Sequence, residues 1–409
     1  MAQLLFLSSA ASAGLVLCWL LFRIVQIGFL TRLRTIPGPW HARFCNWGLK
    51  LATLSGVRIH YIHRLHQIYG PIVRVAPNEI AINDAQCFKE IHRVGGGFLK
   101  TRWYREMGLA GVNRPGIFGM TNPKQHAIRR KLLARGFDQR YLRKQWEDIV
   151  SEKVDLAVAR IKSDAKTPTG ADVLRWWTYL AIDVSANLMF GESFKTLETG
   201  TRLPYIEALE HVMMVIGMKW ELPLVYHLGR MLSPYMPSLG TVFRAGDVLA
   251  KQGTLAIKNS KAQGYKSSNI FATAINEAEK DDGTMTDEEV STEASNLIVA
   301  GSDTTGNTLA YLTWAVLKQP DLQRSLEQEI DRAQLRGPLT DAALETLPIL
   351  SAVIEETLRL YGAAPGTLPR DVPKGGMIFQ DHFIPEGTIV GTQSWSLHRD
   401  PSLFPDPDK

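Results

Sequence analysis

The chain carries its apolar residues in several distinct patterns. Leu4 to Phe22 runs nineteen residues without a charge. Val57 to Tyr69 repeats apolar positions at helical spacing and predicts an amphipathic helix. "PIVRVAPNEIAIN" alternates apolar and polar residues around Pro77-Asn78 and predicts a small hairpin. Val94 to Thr121 is rich in glycine and aromatics without clear periodicity. It reads as a long ordered loop, and such loops in compact domains are often functional. From Asn122 to about Pro365 the spacing is mostly helical, broken at Pro, Gly and Asp clusters. Short apolar runs return from Met377 to Thr392, with "PEG" as a turn, and suggest a second hairpin. No repeat or low-complexity tract interrupts the pattern. The sum is a large, mainly α domain with a minor β-sheet.

The first run is long enough to cross a bilayer as a helix. Arg23, Arg32 and Arg34 follow it and no charge precedes it, which places the rest of the chain in the cytosol. A cleaved signal peptide is the alternative, but it lacks its basic leading region here and the run is long. "IPGP", Ile36 to Pro39, reads as a stiff break after the anchor. Residues 1–35 are thus expected to be membrane anchor and linker, and residues 36–409 the main domain.

Composition narrows the picture little. A chain of 409 residues buries a large core. The net charge of +5 does not suggest nucleic acid, and no recognition motif strengthens that case. Cys18, Cys45 and Cys87 are too few, at no metal-like spacing, for a disulfide framework or a structural zinc site. A reducing compartment follows for the main domain. His60, His63 and His66 would spread over about 120° of a helix with no Cys or carboxylate to complete a metal set. They read as a partly exposed helix face.

Candidate chemistry begins with "AGSDTTGN", residues 300 to 307. Thr286 and Glu289 form a capping-box pattern that opens a helix, and Gln319-Pro320 ends it. The span is about 32 residues, about 48 Å long, with mediocre helix formers at its middle. Leu297, Ala300, Gly301, Thr304 and Thr308 lie along one stripe of mostly small residues, which leaves room for something flat and bulky. Asp303 and Thr304 put a carboxylate beside a hydroxyl, a pair able to relay protons to a nearby reactive oxygen. Alternatively, the hydroxyls only bond back to helix carbonyls and bend the helix. Further on, "SAVIEETLRLYGAAP" is a helix with apolar residues on both faces, so it reads as buried all round. Charges there must be paired and hydrogen-bonded. Arg359 reaches Glu356 at i,i+3 or Glu355 at i,i+4, and spacing does not choose.

Several motifs now agree. "AGSDTT" resembles the oxygen-activation signature of the haem-thiolate monooxygenases, the cytochrome P-450 family. "EETLRL" resembles its Glu-x-x-Arg helix, and "HAIRRKLLARGF" the helix whose arginine binds a haem propionate. "LPRDV" and "SLHRDPSLFPDPDK" are similar to the segments that follow. The anchor followed by "IPGP" is the microsomal form. The motifs run in family order along the whole chain, and its wording resembles filamentous-fungal members of secondary metabolism.

The resemblance implies a cytochrome P-450 fold around haem (heme) iron. It makes Asp303 and Thr304 the proton-delivering pair and Ala300 and Gly301 the room for oxygen and substrate. Arg130, Arg370 and His126, which stands where many members have Trp, become propionate ligands. Glu356 and Arg359 become a structural lock. Phe98, Trp103 and Phe118, with Ala363 to Gly366 (Ala364 and Pro365 among them), become the substrate-pocket lining. The implied partners are an NADPH-fed reductase, a hydrophobic small molecule and the endoplasmic reticulum membrane. The basic run from Arg129 to Lys144 would help dock the reductase or is a solvated face. The family's axial cysteine follows the "FPDPDK" segment, beyond Lys409, and no Cys follows Cys87. A truncated member is therefore expected, either a monooxygenase by lineage or an inactive, membrane-anchored remnant or interaction protein.

Overall fold

The computed structural model describes residues 22–108, 115–251 and 285–408, with Leu15, Cys18, Trp19, Thr254, Asn269 and Ile270. Most of the apolar run Leu4–Phe22 lies outside the described residues. Among the described residues no helix is long and apolar enough to cross a membrane. The protein is mainly α with a minor sheet, as the pattern predicts. It divides into two compact units, Met1–Thr101 with Pro365–Lys409, and Arg102–Ala364.

The first unit holds the strands. Its helices include α1 (Trp47–Leu54), α2 (Arg58–Tyr69) and α3 (Ala85–His92). β1 (Ile72–Ala76) and β2 (Glu79–Ile82) form the expected antiparallel hairpin. Its alternation misleads about exposure, because every residue of β1 is buried, Arg74 included. Both faces are covered: Ile72 and Ile80 join one core cluster, Val73 and Val75 another. β3 (Leu99–Lys100), β4 (Thr367–Asp371), β5 (Met377–Phe379), β6 (His382–Ile384) and β7 (Ile389–Gln393) complete the strands. The larger sheet runs β1-β2-β7-β4-β3, and only β2 and β7 pair in parallel. The second hairpin is shorter than expected. It is β5–β6 alone, turning at Gln380-Asp381, where Gln380 takes φ 50°. Pro385-Glu386-Gly387 instead leads into β7, whose residues pair with β2 and β4. Of the three histidines of α2, His60 is exposed and His63 half-buried, as a partly exposed face requires, and only His66 differs from expectation. His66 is buried, with its Nδ1 3.0 Å from the Gly70 carbonyl, while His63 lies 3.2 Å from Ser396 Oγ.

The second unit is helical: α4 (Arg102–Glu106), α5 (Pro123–Ala134), α6 (Gln139–Asp164), α7 (Val173–Phe190), α8 (Pro204–Glu221), α9 (Pro223–Leu232), α10 (Pro237–Phe243), α11 (Asp287–Leu317), α12 (Pro320–Gln334) and α13 (Pro348–Tyr361). Proline opens six of them, where its fixed φ suits the first turn and its missing N–H costs nothing. The stretch from Val94 to Thr121 is less of a loop than its composition suggests. It contains β3 and α4, and β3 exists only through its pairing with β4, which no local pattern reveals. The core gathers on α7 and α11, with Ile182, Ala186, Ala294 and Ile298 all but inaccessible.

Candidate functional site

The long helix α11 spans 31 residues. Thr286 caps it, and the reciprocal bonds with Glu289 are both made. Its polar centre is satisfied internally. Ser302 Oγ donates to the Ile298 carbonyl at 2.6 Å, Thr304 Oγ1 to Ala300 at 2.6 Å and Thr308 Oγ1 to Thr304 at 2.9 Å. Back-bonding is thus real, and it leaves the exposed Thr304 oxygen its lone pairs for a further partner.

Asp303 points elsewhere. Its Oδ1 accepts from Asn307 Nδ2 at 3.0 Å, and it borders a groove of about 260 Å³ with Arg175, Thr178, Arg202 and Glu210. Burial pushes its carboxyl above the usual range; the Asn307 bond offsets part of this and Glu210 adds to it. Asp303 and Thr304 are both exposed, but they have different surroundings, Asp303 facing the groove beside α7 and α8 and Thr304 bonding back to Ala300.

The small-residue stripe is used in two ways. Ala300 and Thr304 are exposed, and no side chain larger than threonine stands between them. Gly301 is a correction: the room its missing side chain leaves is filled by α7. A Cβ there would stand 2.7 Å from Ser185 Oγ, and one at Gly306 would stand 2.8 Å from Thr178 Cα. The two glycines let α11 and α7 cross closely, and Trp177 Nε1 adds a 3.0 Å bond to Thr313 Oγ1.

On α5, His126 and Arg130 are one turn apart on one face. Arg130 is exposed and carries no ion pair among the described residues. Its neighbour Arg129 is buried and doubly paired, to Glu289 at 2.8 Å and Glu293 at 2.9 Å. Glu293, whose side chain is inaccessible, also accepts from the Ile117 N–H at 2.9 Å with both oxygens. Burial raises its carboxyl above the usual range, against the opposing pull of Ile117 and Arg129. Burial works the same way on Glu289, but the bonds from Thr286 and the charge of Arg129 prevail and hold it low. No local spacing in the sequence reveals this network. One signal was there: Glu293 sits at helical spacing among Val290, Ala294 and Ile298, all buried.

Arg359 chooses Glu356, not Glu355. Nε and Nη2 donate to its two oxygens at 2.8 and 2.6 Å, a bidentate pair that pulls the Glu356 carboxyl below its usual range. The helix around them is not buried all round, contrary to expectation. Val353, Thr357 and Leu360 face inward, whereas Ile354 and Leu358 are exposed and the Glu356 side chain is 51% accessible.

Of the expected pocket residues, Trp103 and Phe118 come together, with ring centroids 6.4 Å apart and Tyr104 packed against both. Phe98 is a correction. It belongs to the core of the first unit, 6.2 Å from the Phe379 ring. Ala364 is exposed at the end of the second unit, and in the first unit the Pro365 carbonyl accepts from Trp395 N at 3.2 Å. Arg370, on β4 in the first unit, lies by His92, whose ring burial and the Arg370 charge push down to about 4, so it stays neutral. The cysteines are all free, and burial pushes the Cys87 thiol up to about 12. Among the described residues no group of His, Cys, Asp and Glu could hold a metal ion.

The donor set fits a carboxylate-bearing, flat apolar group such as haem. A solvent-facing guanidinium without an internal carboxylate, one turn from a histidine, suits a propionate. The Ala300–Thr304 face offers a surface free of bulky side chains.

Comparison with known proteins agrees with this chemistry. The cytochrome P450 family model matches residues 37–409. The chain is 41% identical to cytochrome P450 monooxygenase stcB of Emericella nidulans, over 94% of this chain and 73% of that protein. It is 39% identical to cytochrome P450 monooxygenase aflV of Aspergillus parasiticus, over 95% and 76%. It is 33% identical to methylphloroacetophenone oxidase of Cladonia uncialis, over 94% and 86%.

Proposed function

The chain belongs to the cytochrome P450 family, and on that premise we propose that it oxygenates a hydrophobic small molecule in fungal secondary metabolism. Electrons come from an NADPH-fed reductase. Haem, when bound, supplies the activation of dioxygen; the remaining steps belong to the protein. Arg130 and His126 would bind a propionate on the outward face of α5. Ala300 leaves the face of α11 open for substrate. Asp303, whose carboxyl is pushed above the usual range, would exchange protons with the groove lined by Arg175, Arg202 and Glu210. With haem bound, Thr304 would relay protons at the exposed face of α11, its Oγ1 accepting one through its lone pairs and releasing the one it now donates to Ala300. Trp103, Tyr104 and Phe118 supply an apolar, aromatic wall for a planar substrate. The observation that carries this reading is the exposed Thr304 hydroxyl beside Asp303, whose carboxyl is pushed above the usual range, at the middle of one helix.

In haem-loaded protein, Thr304→Ala should raise peroxide release per dioxygen consumed and lower oxygenated product, with substrate binding little changed. Unchanged coupling would return Thr304 to a helix residue that only bonds back to Ala300.

We also propose that Leu4–Phe22 anchors the protein in the endoplasmic reticulum with its main domain cytosolic, because the run is long and uncharged and is followed by arginines. Removing residues 1–35 should release most of the protein from carbonate-washed membranes. Retention in the pellet, by a deletion variant that is soluble when purified, would contradict the anchor.

A further inference from the structure

Glu293 does more than neutralise Arg129. Both its oxygens lie 2.9 Å from the Ile117 N–H. The chain just before it approaches α11 so closely that a Cβ on Gly116 would stand 2.3 Å from Asn296 Nδ2 and 2.9 Å from Glu293 Oε2. Ile117 is itself packed against the core of the second unit. The segment 115–118 is thus clamped to α11 at a carboxylate, and the next residue in the chain, Phe118, closes the aromatic cluster with Trp103 and Tyr104. Position matters here. Glu293 precedes Ala300 by seven residues, two turns of helix. It therefore shares the face of Ala300, about 10 Å upstream. A segment held at Glu293 lies along the line that leads to the open Ala300–Thr304 face.

We propose that Glu293 is a positioning residue. By accepting the Ile117 N–H it fixes where Phe118 stands, and so sets the size and shape of substrate admitted to the face of α11. The proposal rests on the monooxygenase reading above. It goes beyond that reading in giving substrate selection to a residue that touches no substrate. Arg129 is the second part of the device. Its charge pulls against the burial that raises the Glu293 carboxyl, and a charged acceptor holds an amide more strongly than a neutral one.

The test compares Glu293→Gln, Glu293→Ala, Phe118→Ala and the double variant Glu293→Ala/Phe118→Ala in the full chain. Amide hydrogen exchange across 115–121 reads the clamp without any ligand. Titration of the haem-loaded protein with imidazole and with 4-phenylimidazole, followed by absorbance, reads admission by size. Loss of the acceptor in Glu293→Ala should speed exchange at Ile117 roughly ten- to a hundredfold. It should also shift the ratio of the two dissociation constants in the same direction as Phe118→Ala, with no further shift in the double variant. Glu293→Gln, which keeps an acceptor oxygen, should recover most of the original ratio.

A freed Ile117 amide with an unchanged ratio would reduce Glu293 to a brace and overturn the proposal. So would additive shifts in the double variant. If Glu293→Ala does not fold, Gly116→Ala displaces the segment with all charges intact and should give the same shift; an unmoved ratio there is equally decisive. If the unmodified chain gives no azole spectrum, the haem reading itself fails and selectivity with it. Fast exchange at Ile117 in the unmodified chain would instead remove the clamp alone.

Discussion

Arg129 and Arg130 are adjacent on α5, alike in chemistry and opposite in setting. Arg129 is turned inward, with its side chain 9% accessible, and is held by two glutamates of α11. Arg130 is turned outward and has no such partner among the described residues. A helix turns about 100° per residue, so neighbours on it cannot share an environment. The inward arginine is fixed by the fold, and its loss is a folding problem. The outward one is left for a ligand, and its loss is a binding problem. The same division runs through the centre of α11, where Gly301 and Gly306 serve the crossing with α7 while Ala300 and Thr304 stay open.

The comparison breaks most visibly at Arg129. Arg129→Ala would strand Glu293, an inaccessible carboxylate, with no counter-charge. Removing one partner of a buried pair costs about 3–5 kcal/mol. The variant should unfold at markedly lower urea than the parent protein. The expected effect should fall in Arg129→Ala/Glu293→Gln, because the stranded charge goes with the second change. Equal destabilisation of the single and double variants would show that packing of the arginine stem, not charge, is what α5 contributes.

Much of this arrangement was legible from local pattern. The capping box of Thr286 and Glu289, the hairpin at Pro77-Asn78 and the three-residue spacing of Glu356 and Arg359 are all short-range features. Each is decided by the chain within a few residues, so sequence shows it. What sequence did not show is which face looks inward. Arg130 fell under a known pattern, while Arg129 beside it drew notice only as part of a basic run. Its partners lie 160 and 164 residues away, and no spacing rule reaches that far. Local spacing marks Glu289 as a cap alone, although it also holds Arg129. Ile354 and Leu358 read as buried because they are apolar, but burial depends on what packs there. The family resemblance gives Phe98 to the pocket lining, and its ring packs on Phe379 of β5.

The glycines of α11 sharpen the comparison at a smaller scale. A methyl group on Gly306 would meet the backbone of α7 at Thr178, and backbone does not yield without moving the helix. A methyl group on Gly301 would meet only the Ser185 hydroxyl, a single atom that rotates. Gly306→Ala should therefore destabilise by about 1–3 kcal/mol, as overpacking does, and Gly301→Ala by less. Thermal unfolding of the two variants side by side measures the difference. If Gly301→Ala costs as much or more, the Ser185 side chain is held as firmly as backbone, and the crossing is tighter at the middle of α11 than at Gly306.

The smallest expected effect on stability is the most informative about function. Arg130→Ala removes an exposed side chain with no ion pair among the described residues. Such surface changes usually stay within about 0.5 kcal/mol, so the unfolding curve should barely move. Haem retention should move. One charge-assisted pair to a propionate accounts for roughly a tenfold change in affinity, the equivalent of about 1.4 kcal/mol. Transfer of haem to an excess of apomyoglobin, timed for the parent and for Arg130→Ala, separates the two quantities. Arg130→Lys keeps the charge but loses the planar fork, and should fall between them. Faster haem loss with unchanged stability assigns the outward face of α5 to the cofactor. Equal rates in all three proteins would leave Arg130 a solvated residue and remove this face of α5 from the site.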